Sequence, residues 1–245
     1  MIYEASEYIF KPPPLISRAR RVLIKPNATH PYPYPISTSR DTLGAIINSI
    51  KRVSDADIII LEGTPTGDPI YPIYKELGYD FPRVLMLDVK DCIWVEVENP
   101  LPHPFAVSTF WVPNVVISSD YLISVSTFKE MGGKGLFSVK NLLSLLPVSK
   151  YKSENGEGWD TLSELGMDRV IADLYFTLPF DLGIIDARHK FVSDSDVSKG
   201  KIEQYGKTFA GDPFDIDKEA SHIDKLDMGY LKLIESGKTE LDSDR

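Results

Sequence analysis

Short apolar runs alternate with amphipathic stretches along the N-terminal third of the chain. Arg21 to Ile24 (RVLI), Asp57 to Leu61 (DIIIL) and Arg83 to Leu87 (RVLML) have the length and apolar content of buried strands. Between the first two, Leu43, Ile46, Ile47, Ile50 and Val53 recur at helical spacing on one face, and Ser37, Thr38 or Ser39 can cap that helix. Pro69 suits the first position of a second, short helix, and Gly78 suits its end. Strand, helix, strand, helix, strand in this order predicts a parallel sheet crossed by helices.

The middle of the chain changes pattern. Cys92 to Val97 alternates, with Ile93, Val95 and Val97 against Trp94 and Glu96, as a half-exposed strand does, and Phe105 to Val112 can pair with it as an inserted antiparallel hairpin. Tyr121 to Val125 (YLISV) returns to the buried type. Val139, Leu142, Leu143 and Leu146 fit a helix ending at Pro147. Residues 149–160 read as a mobile polar loop, 162–174 as helix and 182–185 as strand. A polar stretch follows over 189–205, then a short strand at 208–210. Pro213 opens a helix capped by Asp212, and the last helix lies near 230–234. The expected organisation is a leader over 1–20, one α/β domain over 21–236 and a disordered tail over 237–245. Its central sheet is mostly parallel, with flanking helices and the inserted hairpin.

Charge and cysteine content narrow the function. A formal net charge of -9 disfavours general nucleic-acid binding, since duplex nucleic acid is itself a polyanion. Cys92 is the single cysteine, which excludes an intrachain disulfide, a cysteine-ligated zinc site and a four-cysteine iron–sulfur cluster; an inert buried thiol is expected. The N-terminus lacks a basic segment followed by an apolar stretch. The uncharged run Asn99 to Ser119 is broken by Pro100, Pro102, Pro104 and Pro113, so neither reads as a signal peptide or a membrane span. The expected compartment is the cytoplasm.

Ligands of open α/β sheets bind beyond the carboxyl ends of the strands. Those positions carry Lys25-Pro26-Asn27, Glu62-Gly63, Asp88, Ser126 to Lys129, Asp186, and Gly211-Asp212. Lys129 to Gly135 (KEMGGKG) joins cationic side chains to glycines whose backbone can turn N–H groups towards an anion, and a predicted helix follows. Residues 129–152 hold five lysines and one acid, a local excess of +4 in an acidic protein. The spacing is not that of a P-loop. Lys25, Asn27, Glu62, Lys129, Gly132, Gly133, Lys134, Lys140, Asn141 and Asp186 are therefore the candidate ligand-binding residues. Glu62, Lys129 and Asp212 are the candidates for catalysis. Asp212, Asp215 and Asp217 cluster at a helix start, where capping explains them; the alternative is that Glu62, Asp212 and Asp217 hold a divalent cation such as magnesium. His30, His103, His189 and His222 are scattered and read as structural or solvated, and no hydrolase motif is present.

Several short segments occur together in a telling order. They are Val22-Leu23-Ile24-Lys25-Pro26-Asn27, Glu62-Gly63, Gly78-Tyr79, Leu122-Ile123 leading to Lys129, Lys140-Asn141-Leu142-Leu143 with Leu146-Pro147 and Lys150, Ile185-Asp186, and Gly211-Asp212-Pro213 with Asp217. The set resembles the domain-of-unknown-function family 362 over roughly residues 21 to 223. Some relatives carry an attached ferredoxin-like cysteine cluster; this chain lacks those cysteines. Where relatives often have Lys-Thr-His, it has Lys129-Glu130-Met131, and Leu136 replaces the threonine usual before the Lys-Asn pair. Three functions follow as expectations: an enzyme or enzyme-like protein acting on a small anionic metabolite, a non-catalytic ligand-binding or interaction protein, and a redox partner of a separate iron–sulfur protein.

Overall fold

The computed structural model describes residues 1–243. Strand β1 (Ile2–Glu4) starts the chain, and β2 (Arg21–Pro26), helix α1 (Arg40–Lys51), β3 (Asp57–Glu62), α2 (Tyr71–Glu76) and β4 (Leu85–Asp88) form the predicted alternation. Ser39 caps α1 by accepting from the Thr42 N–H, and Leu43, Ile46, Ile47 and Ile50 are its buried face; Val53 lies past the helix end and is exposed. Arg83 has a left-handed φ of 56°, so the fourth strand starts two residues later than the apolar run suggests.

Strands β5 (Trp94–Glu98) and β6 (Thr109–Pro113) pair antiparallel in a separate two-stranded sheet, the expected inserted hairpin. The short helix α3 (Asn114–Ile117) leads into β7 (Tyr121–Met131), which turns back as β8 (Lys134–Gly135). Helices α4 (Val148–Tyr151), α5 (Asp160–Glu164) and α6 (Met167–Thr177) precede the long strands β9 (Leu182–Ser193) and β10 (Lys201–Gly211), and α7 (Pro213–Asp224) and α8 (Gly229–Ser243) close the chain.

The main sheet runs β1-β10-β9-β7-β2-β3-β4 with β8 beside β7. Strands β9, β7, β2, β3 and β4 are parallel neighbours; β10 and β1 add antiparallel at one edge. Alternation along the central strands divides the core. Val22, Ile24, Ile58, Ile60, Ile123 and Val125 pack on α1, and Phe10 and Ile16 of the leader join them. Leu23, Ile59, Leu61 and Leu122 pack on the opposite face, against residues 142–146, α6 and the hairpin. At about 1.5–3 kcal/mol for each fully buried large aliphatic side chain, this two-sided burial is what holds the sheet in register.

Several elements differ from the sequence expectation. Strand β7 does not stop at Val125; its pairing continues through Met131, because Phe128 to Met131 bond to Lys190 to Ser193 of β9. The polar stretch 189–205 consequently holds the end of β9 and the start of β10, joined by residues 194–200. The helix predicted after residue 139 is a 3-10 helix over Lys140–Leu145, and the 162–174 helix is broken at Gly166, whose φ is 93°. Part of the expected 149–160 loop is α4. Helix α8 runs through residues 237–243, read from sequence as tail. Gly237 does not end it: a Cβ there would meet the Phe176 ring at 2.7 Å, so the absent side chain allows α8 to lie against α6. Residues 244–245 of that tail lie outside the described residues. Among those described, no helix is long and apolar enough to cross a membrane.

Candidate functional site

Strands β2 and β3 end side by side next to the middle of β7, and polar residues there meet in a buried network. Lys25 Nζ donates to Glu62 Oε2 (2.9 Å), to the Pro26 carbonyl (2.7 Å) and to Asn141 Oδ1 (3.1 Å), and lies 2.8 Å from Glu62 Oε1. Glu62 is saturated: it also accepts from Ala28 N (2.8 Å), Gly63 N (3.0 Å) and Ser144 Oγ (2.6 Å). Burial pushes the Lys25 pKa down, opposed by its attraction to Glu62. The parallel register explains the meeting, since Lys25 is level with Ser124 of β7 and the residue after Ile24 sits beside the end of β3.

Asn27 continues the network outward. Its Nδ2 donates to Asn141 Oδ1 (3.1 Å), and its Oδ1 accepts from Lys129 Nζ (2.5 Å). Lys129 also donates to the Ile36 carbonyl (2.9 Å). The loop between β2 and α1 thus folds over Lys129, anchored by Thr38, whose Oγ1 accepts from Asn27 N and donates to the Val125 carbonyl. Lys129 is only 3% exposed. Desolvation drives its pKa down to about 7; Glu62 opposes this, and the nearby Lys25 and Lys140 reinforce it. The cluster accordingly holds two buried lysines against one glutamate.

The other candidates fall in three places. Gly132 and Gly133, with φ of 56° and 74°, make the two-residue turn between β7 and β8 that only such backbone permits. That explains the glycines as hairpin chemistry, and the short 3-10 helix beyond them is not the helix N-terminus expected to aid an anion. Lys134 lies 4.0 Å from Asp168, and Lys140 is half-buried within reach of both, its pKa lowered mainly by burial. Asp186 belongs to a different group on β9: it accepts from Arg188 Nε (2.9 Å), Arg188 Nη2 (2.7 Å), Thr42 Oγ1 (2.6 Å) and Tyr34 OH (3.1 Å).

Glu62, Asp212 and Asp217 do not share a centre. Asp212 caps α7 by accepting from Phe214 N and Asp215 N. Asp217, fully buried, accepts from Ser138 N (2.8 Å), Val139 N (2.9 Å) and Tyr230 OH (2.8 Å). Burial outweighs these donors and raises its pKa to about 7. Among the described residues, no group of three or more histidine, cysteine, aspartate and glutamate side chains is arranged to hold a metal ion. Cys92 is half-buried and donates to the Asp88 carbonyl, with burial lifting its pKa to about 11, so the thiol stays protonated.

Two contributors escaped the sequence reading. Ser144 stands three residues after Asn141, one turn of the 3-10 helix, and that spacing is a legible signal that both point the same way. Thr38 sits in a run of three hydroxyl residues with nothing to single it out. His30 lies on the covering loop, half-buried, with its ring bonded to Thr29 and stacked on Tyr32; its pKa is lowered by burial and by Lys129, against the pull of Glu62.

These features define an open, mostly parallel α/β protein with a buried lysine–carboxylate network at the carboxyl rim of its sheet. The chain belongs to the family described as "Domain of unknown function (DUF362)", whose model matches residues 22–222. A search of curated proteins gives no match. Among solved structures, the lactate racemase apoprotein from Thermoanaerobacterium thermosaccharolyticum is similar in fold, with a TM-score of 0.56 at 16% identity over 89% of this chain. The similarity covers 53% of the racemase chain, so this protein spans about half the length of that neighbour.

Proposed function

We propose that the protein binds a small carboxylate- or phosphate-bearing metabolite at the rim of β2, β3 and β7, with Lys129 as the charged contact and Asn27 orienting it. One observation carries this reading: the Lys129 ammonium is buried against two neutral acceptors, while the carboxylate nearest in charge, Glu62, is committed to Lys25. A buried cation without its own counter-ion is costly, and an incoming anion would supply one. Lys129 itself, able to take up or release a proton, is the basis for a catalytic rather than a purely binding role. The racemase neighbour's name is that of an enzyme acting on lactate; the likeness is one of fold, and it serves here to choose the first compounds to test.

The reading predicts proton uptake on binding, because an anion next to Lys129 raises its pKa from about 7. Titration calorimetry at pH 8 with lactate, malate and inorganic phosphate, in two buffers of different ionisation heat, measures this. Saturable binding with proton uptake, lost in Lys129→Met, is the expected result. Absence of binding by every compound, or binding unchanged in Lys129→Met, rejects the proposal. Including magnesium in one arm tests whether a cation accompanies the anion, and turnover of a bound compound separates enzyme from binder.

A further inference from the structure

We infer a second ligand site, distinct from the Lys129 cluster: a slot at the carboxyl ends of β3 and β4 that takes one flat ring bearing a carboxylate or phosphate. The slot has a volume of about 210 Å³. Drug-sized ligands fill cavities of about 300–1,000 Å³, so this one suits a single-ring compound and excludes a dinucleotide.

Its walls are apolar and rigid. Trp94, Leu146, Pro147 and Val148 line it, and the Trp94 indole is fixed by its Nε1 donating to the Val89 carbonyl at 2.7 Å. A fixed aromatic face in one lining with a proline and aliphatic groups favours a flat apolar ring and loses little entropy on binding. Gly63 lets the chain leave β3 hard against its neighbours, since a Cβ there would meet the Ser144 carbonyl at 2.7 Å and Val89 at 3.0 Å.

Its ionic lining is mixed, two carboxylates and two ammonium groups, and only the ammonium groups are free of a fixed hydrogen-bond geometry. The carboxylates in the lining already have partners: Asp88 accepts from Ile70 N (2.8 Å) and Lys90 N (2.9 Å), and Asp68 accepts from Thr66 Oγ1 (2.7 Å). Lys90 and Lys152 are exposed at the slot, and among the described residues neither ammonium lies within 4.0 Å of a carboxylate. Neighbouring Lys150 is directed elsewhere, over the Trp111 ring at 3.9 Å. Two exposed ammonium groups on long side chains, able to move onto a ligand beside an aromatic wall, match an anionic group on a ring.

Equilibrium titration of the full chain with phenyl phosphate, benzoate, phenol and inorganic phosphate tests this. At least one of phenyl phosphate and benzoate is expected to bind at least tenfold tighter than phenol or inorganic phosphate, and the stronger of the two identifies the anion. The exposed double variant Lys90→Ala/Lys152→Ala should weaken that binding about five- to tenfold, as the loss of two solvent-screened pairs does. Lys129→Met should leave it unchanged, which separates this site from the first. Ring compounds that bind no better than phenol and phosphate alone, or a double variant that binds like the parent protein, or loss of binding in Lys129→Met, would each overturn the assignment.

Discussion

Lys25 Nζ lies 2.8 Å from Glu62 Oε1, and neither side chain has any exposed surface. Both charges left water to make this contact, so each depends on the other. Glu62→Gln keeps the shape and strands the cation, at an expected cost of about 3–5 kcal/mol in unfolding free energy. Adding Lys25→Met to that variant should restore part of the loss, because the stranded charge is gone. Urea unfolding of the two variants decides it; a Glu62→Gln protein with the parent's midpoint contradicts the buried-pair account.

Lys129 carries the opposite burden, a pKa pulled from an ordinary 10.5 down to about 7. Between those values the unfolded chain holds a proton that the folded chain has released. Stability from this group therefore rises as pH increases from about 7 towards 10.5, by at most about 1.4 kcal/mol per pH unit. The gap in unfolding free energy between the parent and Lys129→Met should shift in the parent's favour by that slope from pH 7 to pH 9. A gap that does not change with pH would show that Lys129 titrates normally.

Asp217 behaves in mirror image. Its folded pKa, raised from 3.8 to about 7, means that the folded chain keeps a proton the unfolded chain loses over that interval. Its contribution to stability falls as pH rises from about 4 to 7. Asp217→Asn cannot titrate, so its stability profile over that range should be flatter than the parent's. Parallel profiles from chemical denaturation at pH 4.5, 5.5 and 6.5 would rule this out.

Asp212 is assigned to capping, and a cap has a known worth. Asp212→Ala should lower stability by about 1 kcal/mol, and Asp212→Ser should recover most of it, since serine also accepts from the first-turn N–H groups. If Asp212→Ser is as destabilised as Asp212→Ala in thermal unfolding, the carboxylate has another task.

Reading strand ends as site positions located Lys25, Asn27, Glu62 and Lys129 because apolar runs mark strands and the polar residues that end them are visible in sequence. Asn141 came from its pairing with Lys140 in the family-like pattern. The rule brought in Asp186 as well, yet the structure assigns it to Arg188, Tyr34 and Thr42, because a strand end says which rim a residue occupies and not which neighbour it meets. In the KEMGGKG segment Lys129 joins the network while the glycines make a turn: glycines serve a ligand loop and a tight hairpin equally, and the pairing of β7 with β8 places them in the hairpin. The apolar cores of β9 and β10 were legible at 182–185 and 208–210, but their length was hidden, since the polar extensions lack an apolar signature.

Glu62 joins segments that the ribosome delivers at separate times: residues 25–28, 62–63 and finally 144. A nascent chain stalled before Ser144 has emerged already possesses the lysine and the carboxylate but lacks the hydroxyl and amide groups that shield them. The N-terminal half should then be open to proteases during synthesis, becoming resistant only when the segment after β8 has docked.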